Sequence, residues 1–184
     1  MKKVLMILAD GFEELEFVAP FDILLRGGVE VVTVSISKER EVTSVRNLVV
    51  RADQLLDQVD SNSFDLIFLP GGGPGTKNLR KHSAVVELVR KHHQNNKEVA
   101  AICAAPLILG DVGLLRGMKA TCFPSCQAEL AELGALVTQD RVCQDGLIWT
   151  SRGAGSAAEF GFALLAHLVN QAKADEVRAQ MQFA

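Results

Sequence analysis

No stretch of the 184-residue sequence is apolar for long enough to span a bilayer, and no excess of basic charge is present to attract nucleic acid or an anionic membrane. The formal net charge is −3 at pH 7. The apolar residues 4–9 after Met1-Lys2-Lys3 resemble the start of a secretory leader, but Asp10, Glu13, Glu14 and Glu16 end the run too early. A buried first strand accounts for the same residues, and a cytoplasmic protein is expected. Linkers rich in Pro, Gly or Ser, internal repeats and low-complexity tracts are also missing. A chain of this length makes about one domain, which at this size buries roughly 70% of its unfolded surface. With 48% apolar and 22% charged residues, it needs no metal or disulfide to supply a core. One domain over residues 1–184 follows.

Cysteine is scarce: Cys103, Cys122, Cys126 and Cys143 are the four. In a cytosolic chain of this size they are free thiols rather than bridges. Cys122 and Cys126 have the spacing of half a zinc site. No second pair accompanies them, and His82, His92 and His93 lack ligand spacing, so separate small hydrophobes are the simpler reading and no metal is expected.

What the chain does contain is an alternation of short apolar runs with amphipathic stretches, the signature of a parallel sheet covered on both faces. Residues 3–8, 30–35, 65–69, 98–102, 120–122 and 147–150 are apolar without alternation and read as buried strands. Residues 13–26, 83–95, 104–112, 127–133 and 156–170 read as helices. In the last, Phe160, Leu164, Leu165 and Leu168 recur at helical spacing, with Ser156 as a candidate cap. Residues 43–50 and 135–145 read as hairpins appended to the sheet.

In an open α/β sheet, ligands bind at the carboxyl ends of the strands, and three turns there are candidates. In the first, Asp10-Gly11-Phe12 leads into Glu13, Glu14 and Glu16. Carboxylates at a helix start are explained by the macrodipole. Glu16, however, sits at helical spacing from Phe12 and Ala19-Pro20, and so faces inward while Glu13 and Glu14 face water. A buried carboxyl with no cation nearby keeps its proton and becomes a donor. The second turn, Leu69-Pro70-Gly71-Gly72-Gly73-Pro74-Gly75, satisfies neither the dinucleotide fingerprint nor the P-loop spacing. An anion hole built from backbone N–H groups near Gly72 remains open. In the third, the apolar run Ala100-Ala101-Ile102 enters Cys103, then Ala104-Ala105-Pro106. Small neighbours suit a tight strand-to-helix elbow. A helix N-terminus there lowers a thiol pKa from ~8.5 to ~4–7. A buried structural cysteine fits the local sequence equally well.

These turns, in this order, resemble the ThiJ/PfpI superfamily and, within it, the DJ-1 branch with its ThiJ/YajL-type bacterial members. The matching stretches are Gly11-Phe12-Glu13-Glu14-Leu15-Glu16, Leu69-Pro70-Gly71-Gly72, Ala100-Ala101-Ile102-Cys103-Ala104 and Thr150-Ser151-Arg152-Gly153-Ala154-Gly155. Asp22, Arg26 with Gly27-Gly28, and Arg46 also fall where members carry like residues. The resemblance covers essentially the whole chain. It implies an α/β fold: a flavodoxin-like, three-layer α/β/α sandwich with a mostly parallel sheet, like class I glutamine amidotransferases. It also implies a homodimer, no cofactor, a reactive Cys103 hydrogen-bonded by protonated Glu16, and an oxyanion hole from the Gly72 and Ala104 amides. Gly71, Phe123 and Arg152 would support the pocket.

Two departures narrow the activity. PfpI-type proteases carry histidine directly after the cysteine, whereas this chain has Ala104, which argues against proteolysis. Many animal DJ-1 proteins place a histidine where this chain has Phe123, so Glu16 must supply any acid–base chemistry. The other histidines, including His167, fall in predicted helices. The resemblance implies a cofactor-free enzyme on small dicarbonyls such as methylglyoxal, or on their glycated adducts, of glyoxalase III or deglycase type, in carbonyl or oxidative stress. The alternative is a redox-sensing stress protein or chaperone whose Cys103 is oxidised to sulfinate. On helix 13–26, Val18, Phe21 and Leu25 supply more apolar area than one face needs, which suits a second subunit.

Overall fold

Parity along the strands decides which layer each apolar side chain enters. The computed structural model describes residues 1–183. In chain order it has β1 (Lys3–Leu8), α1 (Glu14–Arg26), β2 (Glu30–Ser35), β3 (Glu41–Thr43), β4 (Val49–Arg51), β5 (Gln54–Leu55), β6 (Leu66–Leu69), α2 (Gly73–Lys81), α3 (Ser83–Gln94) and β7 (Glu98–Ile102). Then follow α4 (Pro106–Asp111), β8 (Lys119–Ala120), α5 (Gln127–Glu132), β9 (Leu136–Val137), β10 (Val142–Asp145), β11 (Ile148–Ser151), α6 (Ala157–Leu168) and α7 (Gln171–Gln180). In β1, Val4, Met6 and Leu8 join Phe160, Leu164 and Leu165 of α6 and Ile23 and Leu24 of α1. Leu5 and Ile7 turn to the other face, with Leu79, Val85, Val89, Ile108 and Leu130 from α2 to α5. The continuous apolar pattern is therefore two period-2 faces, each buried under its own helices. The result is the expected three-layer α/β/α sandwich.

The sheet order is β10-β11-β7-β6-β1-β2-β5, parallel except for β10 against β11. After β2 and β5 the chain returns to the opposite side of β1, so the strand order reverses between β1 and β6. That switch point leaves a crevice at the carboxyl ends of the strands. The adjacent strands β1, β6, β7 and β11 deliver their exit turns to one place.

Several sequence expectations are corrected. The strand expected at 120–122 is Lys119–Ala120, and it pairs with β9 outside the main sheet. Thr121 N–H is taken instead by Thr150 Oγ1 at 3.0 Å. Residues 135–145 are not a hairpin: β9 runs parallel to β8, while β10 pairs antiparallel with β11. Residues 43–50 do fold back, as β3 and β4, in a two-stranded sheet of their own. The helix expected at 104–112 begins only at Pro106. Ser156 does not cap α6; its hydroxyl donates to Gly153 O at 2.9 Å. Helix α2 escaped prediction because Gly73, Pro74 and Gly75 look like a loop. Proline is nevertheless tolerated in a first helical turn, and the buried Thr76 and Leu79 fix the helix. Helix α7 is mostly polar and lacks a clear apolar stripe. It is capped by Asn170 Oδ1, which accepts from Lys173 N at 2.8 Å.

Candidate active site

Cys103 closes β7 in a left-handed backbone conformation, φ +66°. For a residue with a Cβ this costs about 1–3 kcal/mol, so the surroundings must hold it. They do so from three sides. Cys103 N donates to Ser151 O at 2.9 Å, Phe123 N donates to Cys103 O at 2.8 Å, and Ala105 N donates to Ile102 O at 3.0 Å. The pinned elbow turns the half-buried side chain toward the turns after β1 and β6.

Glu16 meets it there. It lies in the first turn of α1, and Glu13 Oε2 accepts from Glu16 N at 3.0 Å as the helix cap. Glu16 is 1% exposed. Its Oε2 accepts from Gly71 N at 3.0 Å, and the Ala154 N–H and the Cys103 side chain lie near enough to favour charge on its carboxyl. A methyl added at Gly71 would overlap Glu16 Oε2 and come within 2.6 Å of Cys103 Cβ, so only glycine lets the backbone approach this closely. The N–H groups of Gly72 and Ala104 lie near the Cys103 sulfur and favour negative charge on it. Gly72 is held at φ +92° against the Gly11 carbonyl.

The electrostatics differ from the sequence expectation of a simply lowered thiol pKa. Burial, and next the Glu16 carboxylate, push the Cys103 thiol up. Burial pushes Glu16 up to about 7. Helix α4 starts three residues beyond Cys103 and has six residues, so its dipole contributes little. Two acids in one dry pocket cannot both ionise, and they titrate as a pair holding one proton. The rise that Glu16 imposes on the thiol exists only while Glu16 is charged. Two N–H donors at sulfur favour charge there, and the N–H groups of Gly71 and Ala154 favour it on the carboxyl.

Glu13 and Glu14, expected to face water, are instead half-buried and tied to Arg46 Nη1 at 3.2 and 3.0 Å. For Glu14, hydrogen bonds from Ser44 Oγ and Arg46 outweigh the cost of burial and hold its pKa at about 2.

A cleft of about 290 Å³ opens beside the elbow, walled by Phe123, Pro124 and Arg141 and floored by residues 152–156. A methyl placed on Gly153 would lie 3.4 Å from Phe123 Cδ2, 3.8 Å from Glu16 Oε1 and 3.9 Å from Cys103 Sγ, so Gly153 of the cleft lining stands next to the sulfur. Thus Glu16, Gly71, Gly72 and Ala104 lie around Cys103, whereas Phe123 and Arg152 line the adjoining cleft. The sequence alone did not single out Ser151, Ala154 or Arg141, although Ser151 and Ala154 lie in the stretch at the end of β11 that carried the resemblance. None of the four histidines lines this cleft. His92 is buried, which lowers its pKa to about 4, and His167 Nε2 lies 2.5 Å from Glu98 Oε1 at the opposite end of β7. Cys122 and Cys143 are buried and Cys126 is half-buried; among the described residues no cluster of three ligands for a metal forms. No helix among these residues is long and apolar enough to cross a membrane.

A model of the DJ-1/PfpI family matches residues 2–167. Protein DJ-1 homolog A of Arabidopsis thaliana is 41% identical over 177 residues, covering 96% of this chain and 45% of that protein. The chain thus spans less than half the length of that relative. Deglycase TK1284 of Thermococcus kodakarensis is 33% identical over 83% of this chain and 91% of that protein. The structure of Toxoplasma gondii DJ-1, described as oxidized, superposes with a TM-score of 0.94 at 36% identity over the whole of both chains. The extent of the family match, on a chain whose four adjacent exit turns surround one strained cysteine, establishes that this protein belongs to the DJ-1/PfpI family.

Proposed function

We propose that the protein is a cysteine-dependent enzyme, needing no cofactor, that acts on small reactive dicarbonyls such as methylglyoxal or on their glycated adducts. The observation that carries this reading is the convergence of the Glu16 carboxyl and the Gly72 and Ala104 N–H groups on Cys103 sulfur. The substrate class rests on the relative named as a deglycase.

In the reactive form the charge sits on sulfur and the proton on Glu16. Sulfur is the larger, softer anion and loses less hydration on burial than a carboxylate. The thiolate adds to the aldehyde carbon, and the carbonyl electron pair moves to oxygen, which takes the Glu16 proton. The Gly72 and Ala104 amides hold this oxygen as its charge develops. The Glu16 carboxylate then removes the proton on C1, giving an enediol, and returns it to C2, while the hydroxyl proton passes from the C1 oxygen to the C2 oxygen, leaving a thioester of the 2-hydroxy acid. Water cleaves the thioester and regenerates Cys103. For methylglyoxal the product is lactate, formed with one water consumed. Lactate formation by wild type that vanishes in Cys103→Ser supports the scheme; wild type no faster than Cys103→Ser overturns it.

A second reading has its own observation: a half-exposed sulfur ringed by two N–H donors and a carboxyl suits a sulfinate, and one structural relative is described as oxidized. Two equivalents of peroxide would each be reduced to water as the thiolate gains two oxygens. Intact-mass measurement under mild peroxide tests it, and the absence of a two-oxygen adduct at Cys103 removes the sensor role. In either role we expect a cytoplasmic, stress-related protein and a homodimer. The surface offered to the second subunit is Leu15, Val18 and Leu25 of α1 beside Val45, Leu48 and Val49 of the β3–β4 hairpin, all exposed. A monomer by light scattering would refute the dimer.

A further inference from the structure

The cleft beside Cys103 contains two guanidinium groups, and their situations differ. Arg141 is committed: its Nε donates to Glu159 Oε2 at 2.6 Å and its Nη2 to Gly155 O at 2.5 Å. Arg152 is half-buried and lines the same cleft, yet its side chain makes no hydrogen bond or ion pair among the described residues. Its backbone is fixed, since Arg152 N donates to Arg141 O at 3.1 Å and Ser151 closes β11 beside β7. The next residue, Gly153, is the one that places the cleft floor against the sulfur.

The charged side chains lining this space are therefore Arg141, with its partner Glu159, and Arg152, while the Cys103–Glu16 pair lies next to Gly153. Arg141 and Glu159 cancel, and the catalytic pair holds a single negative charge deep in the pocket. Arg152 is the cation left without a countercharge at the cleft surface. A planar guanidinium fits a carboxylate with two parallel hydrogen bonds, a geometry an ammonium cannot match. Phe123, 46% exposed, supplies an apolar wall beside it, suited to a short carbon chain and too small for an extended ligand.

We propose that Arg152 is a specificity-determining residue that anchors a carboxylate of the substrate, so that the preferred substrates are short-chain carbonyl compounds carrying a carboxylate near the reacting carbonyl. This rests on the reading of Cys103 as the nucleophile. Arg152 binds the remote end of the substrate, and the chemistry stays with Cys103 and Glu16.

The test is the ratio of two alkylation rates at Cys103, with iodoacetate and with iodoacetamide. The reagents are nearly equal in size and differ by one negative charge. In both, sulfur displaces iodide and a C–S bond forms. Because both draw on the same thiolate, any change in its pKa cancels in the ratio. Arg152→Gln should lower the iodoacetate-to-iodoacetamide ratio about five- to tenfold, as expected for losing one partly solvated charge-assisted pair. Its iodoacetamide rate should stay within about twofold of wild type, a range typical of surface substitutions. Arg152→Lys should fall between, keeping the charge and losing the fork. Lys77→Gln, at an exposed position of α2, should leave the ratio unchanged. A ratio unaltered by Arg152→Gln overturns the assignment, and so does an equal fall in Lys77→Gln, which would reveal only a general field. A Cys103 inert to both reagents overturns the nucleophile reading as well, whereas normal labelling with a flat ratio overturns this proposal alone.

Discussion

Glu14 and Glu16 stand two residues apart in the same helical turn, and the molecule gives them opposite chemistry. Glu14 turns to the β3–β4 hairpin, where Ser44 and Arg46 keep it ionised down to about pH 2. Glu16 turns under the glycine turn, where burial raises it to about 7 with a thiol as its neighbour. A helix rotates about 100° per residue, so two positions suffice to move a carboxyl from an ion-paired corner to a dry pocket. The acidic run at the start of α1 therefore serves two purposes, one holding a hairpin in place and the other holding a proton for Cys103.

The sharpest way to break this contrast is by activity. Glu16→Gln should lower kcat for lactate formation about 10²–10⁴-fold, the range for losing a general acid–base. Glu14→Gln should leave kcat within about threefold, since it touches no reacting atom. Comparable losses in both would erase the distinction. Next comes the glycine that brings the two acids together. Gly71→Ala places a methyl on Glu16 Oε2, and should cost about 1–3 kcal/mol of stability by overpacking while also reducing thiol reactivity. Denaturant unfolding and thiol labelling read the two effects, and a variant normal in both would contradict the packing.

The pH dependence of stability separates the carboxyls by sign. Glu16 is raised above its unfolded value of 4.5, so between about pH 4.5 and 7 the native state holds the extra proton. Stability should fall as pH rises through that window, by on the order of 2–3 kcal/mol, and Glu16→Gln should flatten the slope. Glu14 is lowered, so its contribution is present above pH 4.5 and is lost as pH falls toward 2. Unfolding curves at pH 3, 5 and 7 for the two variants would show identical profiles if the environments were alike. The smallest effect is expected at the open end of the hairpin, where Arg51 Nε lies 3.8 Å from Glu41 Oε1, both well exposed. Arg51→Ala should change stability by less than about 0.5 kcal/mol, and a larger loss would mean that this pair, too, is structural.

Much of this was legible in the sequence because it lies in local patterns. Five of the principal strands, β1, β2, β6, β7 and β11, lie within a residue of where their apolar runs placed them. The inward turn of Glu16 follows from helical spacing to Phe12, which is buried. Other features were hidden because they depend on long-range contacts. The Cys103–Glu16 coupling joins residues on β7 and α1, and the N–H of Ala154 reaches Glu16 only once β11 has paired with β7. The expected drop in thiol pKa presumed a helix beginning at the cysteine; Pro106 starts it later, so a drop has to come from a protonated Glu16 and the two N–H groups near sulfur instead. Helix α2 hid behind glycines that the close approach to Gly11 requires at Gly75.

The central claim is that the pair's single charge resides on sulfur while Glu16 keeps the proton. Thiolate absorbance followed against pH in wild type and in Glu16→Gln tests it directly, because the two assignments predict opposite signs. If Glu16 is the neutral donor, wild type forms its thiolate well below the ordinary ~8.5, and Glu16→Gln, a weaker donor, shifts the thiol pKa upward. If Glu16 carries the charge, wild-type thiolate appears only above that value, and Glu16→Gln, by removing the repulsion, shifts it downward and contradicts the account.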